Sequence, residues 1–300
     1  MILALQYYDG DLDRTMSLAR LLADIEPRPR TDILLALVCQ PGTPRPEIVT
    51  RTIAHCRRKL CVTEVVSEFG ASGYPAACNA LWRGTVSHFY REYASTGSDV
   101  DPGRHSSILT LDGGDGVPLH NDWIDRMISA HLYTLRQGKL ITSTPYFLGT
   151  CPLHMNPNAV FHLDVFARTR LLDEAPTYAD PKWANFAFDV YHRAEMLEHA
   201  CPSSVVHTDW HGGGLPASLN LLRDRSLRSL WLHGYKDGNL YRITREHLVN
   251  QPPPPRIHYH EIDQLLRQEK LRRSFEKTHE EVPAARVHTP YLDPLRIPVP

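Results

Sequence analysis

The residue types best suited to chemistry gather where an apolar run meets a glycine turn. Ile108-Leu109-Thr110-Leu111 leads straight into Asp112-Gly113-Gly114-Asp115, two carboxylates on a turn that glycine makes sterically easy. Hard oxygen ligands in such a place suit Mg²⁺ or Mn²⁺ shared with the phosphate oxygens of a ligand. The bland alternative is a solvated turn that caps the next helix. Near the other end, Leu230-Trp231-Leu232-His233-Gly234-Tyr235-Lys236-Asp237 supplies His233, whose neutral imidazole can complete a divalent-metal site. It also supplies Lys236, a compact cation able to meet a diphosphate. Two further carboxylates, Asp189 and Asp209, are candidates to take a proton from an attacking hydroxyl. His207 and His211 would share a face only on a helix, and Gly212-Gly213-Gly214 argues for a loop there.

These groups need elements to hold them. Ile2 to Gln6, Ile33 to Cys39, Cys61 to Ser67 and Ile108 to Leu111 read as buried strands. Amphipathic stretches over Met16 to Ile25, Glu47 to Lys59 and Ala76 to Tyr93 read as the helices between them. Such alternation predicts a mostly parallel, two-sided sheet, which binds ligands beyond the carboxyl ends of its strands. Gln6, Tyr7, Tyr8 and Asp9 follow the first strand at that edge, where tyrosine can stack on a base and the acid can meet its edge or the ribose. Beyond residue 120 the pattern loosens to helices over Trp123 to Gln137, Ala184 to Glu198 and Arg242 to Val249, with strands at Leu140 to Ser143 and Val205 to His207. Gln251-Pro252-Pro253-Pro254-Pro255 is a stiff spacer, and Glu261 to Glu280 a charged helix before a Pro-rich tail.

The order of motifs resembles that of GT-A glycosyltransferases. Asp115-Gly116-Val117-Pro118-Leu119 followed by Asp122-Trp123 is similar to their acidic metal motif, with Asp112 one residue early for its first acid. Leu232-His233-Gly234-Tyr235-Lys236 resembles the late segment that gives a third metal ligand and a leaving-group contact. The resemblance implies Asp115, His233 and Asp112 as ligands of Mn²⁺ or Mg²⁺, with Asp115 the firmer acid. It also implies Lys236 on the donor diphosphate and Asp112 on metal or ribose. Gly70 to Trp82 resembles a segment that frames the nucleotide, which directs Asn79 to the donor. His154-Met155-Asn156-Pro157-Asn158-Ala159 resembles a stretch before the acceptor region, so His154, Asn156 and Asn158 are expected to touch acceptor hydroxyls. Pro157 stands where the family has glycine.

The expected fold is α/β, a GT-A-type Rossmann-like sheet flanked by helices, with a C-terminal helical extension. Residues 1–250 would form the catalytic domain, 1–119 its nucleotide-donor half and 120–250 its acceptor half, with 251–255 the spacer and 256–300 the tail. The expected reaction moves a sugar from a nucleotide donor, a UDP-sugar, to a hydroxyl. A hydroxymethylated DNA base is kept among the acceptors because Arg267, Lys270, Arg272, Arg273 and Lys277 could meet phosphates. A nucleotidyltransferase or another phosphoryl-transfer enzyme, and an inactive binding scaffold, stay open beside it.

Bulk properties fit. The 300 residues carry a net charge of -1, which argues against nucleic-acid binding by bulk electrostatics, and 42% hydrophobic residues suffice for a core. Six scattered cysteines lack zinc or disulfide spacing. Met1 to Leu5 is too short for a signal segment, and no apolar run is long enough to span a bilayer. The expectation is a soluble cytoplasmic protein, or one of the host cytoplasm should the chain be viral.

Overall fold

The structure is a computed structural model that describes residues 1–95, 105–146, 152–172, 186–208, 229–234 and 239–250. The first half alternates as its periodicity predicts: β1 (Ile2–Tyr7), a short 3-10 turn (Asp9–Asp11), α1 (Leu12–Ile25), β2 (Arg30–Cys39), α2 (Glu47–Cys56), β3 (Leu60–Val66), α3 (Ala76–Ser95) and β4 (Ser107–Asp112). Helix α1 buries Leu12, Met16, Leu18, Leu21, Leu22 and Ile25. It stops where Glu26, extended before Pro27, leaves the helical region.

Strands β1, β2, β3 and β4 pair in parallel. The second half adds β5 (Gly116–Pro118), α4 (Trp123–Arg136), β6 (Ile141–Ser143), β7 (Pro145–Tyr146), β8 (His154–Met155), β9 (Val160–His162) and α5 (Val165–Arg168). Then come α6 (Phe188–Tyr191), α7 (Arg193–His199), β10 (Ala200–Pro202), β11 (Val206–Thr208), β12 (Trp231–His233) and α8 (Asn239–Leu248). The main sheet has seven strands in the order β10-β6-β9-β4-β1-β2-β3. Only β9 runs against its neighbours, so strands from both halves of the chain share one sheet.

A buried cluster covers each face. One holds Leu3, Leu5, Met16, Leu22, Trp123 and Trp231, the other Ile2, Ala4, Trp82, Phe161 and Phe166. Alternating β1 side chains feed the two in turn, as a strand buried on both faces must.

Several short strands lie outside the sequence expectation. The helix expected over Ala184 to Glu198 is two helices broken at His192. The charged C-terminal helix, the polyproline spacer and the tail lie outside the described residues. Among the described residues no helix is long and apolar enough to cross a membrane, and Cys39, Cys56, Cys61, Cys78 and Cys201 are free thiols.

Candidate active site

A small second sheet, β11-β12-β5, carries the late histidine to the acidic turn. Strand β12 pairs antiparallel with β5, placing His233 opposite Gly116. Directly afterwards the Gly234 N–H donates to the Asp115 carbonyl at 2.8 Å. A side chain at Gly116 would run into the Trp231 indole and the Leu232 carbonyl at about 2.5 Å, so only glycine lets β5 lie this close to β12. Likewise a Cβ at Gly113 would meet Thr15 and the Gln6 carbonyl, which instead accepts the Gly113 N–H at 2.8 Å. The turn is thereby held against the end of β1.

The result is a juxtaposition at the carboxyl edge of the parallel sheet. His233 Nε2 lies 3.3 Å from Asp112 Oδ2, the imidazole hidden and the carboxylate 39% exposed. The Asp112 carboxylate stands against the ring, and the Asp115 carbonyl anchors the residue after His233.

The two asparagines expected to face an acceptor sit behind this pair, each 1% exposed. Asn158 Oδ1 accepts the Asp112 N–H at 3.1 Å. Asn156 Oδ1 accepts the Asn158 N–H at 2.8 Å, which turns its amide nitrogen toward Thr208 Oγ1 at 2.8 Å and His233 Nδ1 at 3.4 Å. Buried amides engaged on both ends hold structure rather than bind ligand. Their place is behind Asp112 and His233, with hydrogen bonds to the Asp112 main chain and toward the His233 ring.

Asn79 is likewise engaged within the protein. Its amide donates to the Phe186 carbonyl at 2.8 Å and accepts the Phe188 N–H at 2.7 Å, with 1% exposure. Trp82, one turn on, stacks on Phe188 with centroids 4.1 Å apart, a contact worth about 1 kcal/mol beyond its buried area. Helix α3 thus fixes α6 and the Asp189 it carries. His154, expected to meet acceptor, is 5% exposed, and its Nε2 lies 3.5 Å from Asp189 Oδ2.

Near the amino terminus the structure separates two tyrosines. Tyr7 is 3% exposed and part of the core, so it is unavailable to stack on a base. Its hydroxyl pKa is raised, by burial first and by Cys39 next. Tyr8 is 49% exposed, and Asp9 beside it is exposed as well. Gln6 is buried and pairs in register with Asp112. Lys236, Asp209 and His211 lie outside the described residues, and His207, on β11, is half-buried.

The sequence reading missed Asp11 and Cys78 as members of the site. Burial pushes the Asp11 carboxyl up to about 7, opposed by the Tyr8 N–H and reinforced by Asp115 and Asp112. Cys78 lies open to solvent on α3. Burial among neighbouring atoms nevertheless pushes its thiol up to about 12, reinforced by Asp112, Asp115, Asp11 and Asp189, although the residue as a whole is exposed. Burial also raises Asp189 to about 6, with His154 opposing. The four acids thus lie near one another around Cys78, a convergence no local sequence signal could reveal.

No protein-family model and no curated protein matches the sequence. Solved structures do. A crystal structure of the galactosyltransferase LgtC in complex with donor and acceptor sugar analogs aligns with a TM-score of 0.50 at 10% identity, over 85% of this chain and 98% of that one. The fold is GT-A. Looser likenesses are to apo mouse xyloside xylosyltransferase 1 (TM-score 0.43, 11% identity, 78% of this chain and 96% of that one) and to residues 1–349 of S. aureus TarS (0.44, 11%, 92% and 72%). In GT-A terms the acidic turn after β4 occupies the carboxyl edge of the central parallel strands, where an open α/β sheet receives its ligand.

Proposed function

We propose that this protein is a glycosyltransferase that uses Mn²⁺ or Mg²⁺ to move a sugar from a nucleoside diphosphate donor, a UDP-sugar, onto an acceptor hydroxyl. The observation that carries the reading is the pairing of Asp112 with His233 across two sheets at the ligand edge of a GT-A fold. Their 3.3 Å separation is close to the roughly 3 Å between neighbouring ligand atoms on a six-coordinate ion with bonds of about 2.1 Å. Among the described residues no three His, Cys, Asp or Glu side chains form a closed metal cluster. An open site of one or two protein ligands completed by phosphate oxygens is the pattern hard divalent ions favour. Asp115, at the far end of the same turn, is the further acid on offer. When bound, the ion supplies positive charge opposite the departing diphosphate.

The chain's own groups take the remaining roles. Tyr8, with its ring open to solvent, stacks on the base, and Asp9 meets the base edge or the ribose. Lys236 neutralises the leaving diphosphate. Asp189 is the first candidate to receive the hydroxyl proton, with Asp209 the second. The basic segment from Arg267 to Lys277 that suggested a DNA acceptor lies outside the described residues, and no described feature favours that acceptor over another hydroxyl.

Isothermal titration of the full chain with UDP, with and without Mn²⁺, tests the reading. Metal-dependent binding is expected. Equal affinity in chelator, or none with any nucleoside diphosphate, sinks it. Release of free sugar from the donor without acceptor separates an active site from a scaffold that only binds.

A further inference from the structure

Behind the acid on α6 lies a buried histidine whose tautomer is fixed. His154 Nδ1 is 2.8 Å from the Pro152 carbonyl, and a carbonyl only accepts, so Nδ1 carries a proton. The remaining nitrogen, Nε2, faces Asp189 Oδ2 at 3.5 Å, and both side chains are almost wholly buried, at 6% and 7% exposure. One proton can lie between those two atoms, on the ring or on the acid. The other carboxylate oxygen, Oδ1, is buried and makes no hydrogen bond of normal geometry among the described residues.

We propose that His154 is a positioning residue that shares a single proton with Asp189, and so sets the charge of the acid that meets a sugar hydroxyl through Oδ1. The catalytic consequence rests on the sugar-transfer reading above, while the proton-sharing pair does not. With the proton on Nε2 the pair is an imidazolium and a carboxylate, neutral in sum. This lets a carboxylate persist in a place from which water is excluded. Of the titratable groups that face the acid, Asp112 at the end of β4 works against it and Cys78 from α3 adds no positive charge, while the main-chain N–H groups of Asp189 and Val190 favour the carboxylate. At the start of α7, His192 Nδ1 stands 3.6 Å from Glu195 Oε2. His154 is therefore the charged partner of Asp189 that favours the carboxylate, ahead of those two N–H groups.

In transfer, the hydroxyl oxygen bonds to the anomeric carbon as that carbon's bond to the diphosphate breaks. The electron pair leaves on the phosphate, and the hydroxyl proton passes to Asp189 Oδ1. A hydroxyl of the donor sugar could meet Oδ1 by the same hydrogen bond without losing its proton. The two uses part in kinetics: perturbing a base shifts the pH profile of kcat, whereas losing a donor contact raises donor KM.

The test is the carboxyl titration of Asp189 by ¹³C NMR in aspartate-labelled full-length protein, assigned with Asp189→Asn and compared between wild type and His154→Gln. The expected result is an Asp189 midpoint raised by about one pH unit or more in the variant, a tenfold gain in proton affinity. The acid limb of donor turnover should move the same way. A midpoint unchanged within about 0.3 unit overturns the proposal. Should His154→Gln fail to fold, the wild-type ring decides alone by ¹⁵N NMR. Nδ1 is expected to keep its proton throughout while the Nε2 signal follows the Asp189 titration, and an Nε2 signal indifferent to that titration overturns the pairing. Neither NMR measurement uses a sugar donor, so failure there is distinct from failure of metal-dependent UDP binding.

Discussion

Asp112 and His233, which enter the fold on different sheets, bring a carboxylate oxygen and an imidazole nitrogen to 3.3 Å. The relation is built by main-chain pairing: His233 lies opposite Gly116 in β12 and β5, and Gly234 bonds back to Asp115. Removing either side chain should weaken UDP binding in Mn²⁺ by tenfold or more, about 1.4 kcal/mol, and leave the residual binding in chelator unchanged. Titration calorimetry on Asp112→Asn and His233→Ala checks this. Loss of binding in both conditions would point instead to a damaged fold.

The orienting amides predict an effect without a ligand contact. Asn156→Ala deletes the acceptor for the Asn158 N–H and the donor to Thr208 and His233. Groups that orient metal ligands commonly contribute a factor of about 10–100 in affinity. Mn²⁺ affinity should fall within that range, with a loss of stability of roughly 1–3 kcal/mol from the buried groups left unsatisfied. Chemical denaturation alongside metal titration separates the two.

Tyr7 and Tyr8 should behave oppositely although adjacent. Tyr8→Ala removes a ring that is 49% exposed and should weaken UDP binding by about 1–3 kcal/mol if the ring stacks on the base, with little change in Tm. Tyr7→Ala empties a core position at 3% exposure and should cost about 3–5 kcal/mol of stability. Paired binding and melting curves check the contrast, and equal effects on both readouts would contradict it.

Asp11 predicts a pH dependence of stability. Its folded-state pKa, about 7, lies above its ordinary value of 3.8, chiefly through burial and then through Asp115 and Asp112. Below about pH 4 both states hold the proton, and nothing is lost. From there to about pH 7 the unfolded chain has released it while the folded chain has not, so stability falls as pH rises through that window and stays lowered above it. Asp11→Asn, which keeps an oxygen for the Tyr8 N–H bonded at 2.9 Å, should therefore melt higher than wild type at pH 8 by on the order of 2–4 °C. The two should converge near pH 4. Melting in chelator across that range measures it, and a gap that is constant with pH would contradict the assignment.

The sequence by itself determined the alternating half of the fold and pointed to the residues on which the proposed site rests. β1, α1, β2, α2, β3, α3 and β4 all fall within a few residues of the apolar runs and helical stripes that predict them, because burying one face or both leaves a local periodic imprint. The acidic turn and the late histidine were legible for a related reason: carboxylates after a strand and an imidazole before a glycine are local patterns.

Tertiary structure alone decided which residue serves which end. Strands of two or three residues, such as β5, β9 and β12, are fixed by their partners and carry no period of their own. The step that sets Asp112 rather than Asp115 against His233 was therefore invisible along the chain. The polar residues in between were ambiguous for the same reason. Asn79, Asn156, Asn158 and His154 have side chains equally able to bind a sugar or to satisfy buried main chain. What assigns them to the protein's interior is burial and the partners they find there, quantities that exist only once distant segments have met.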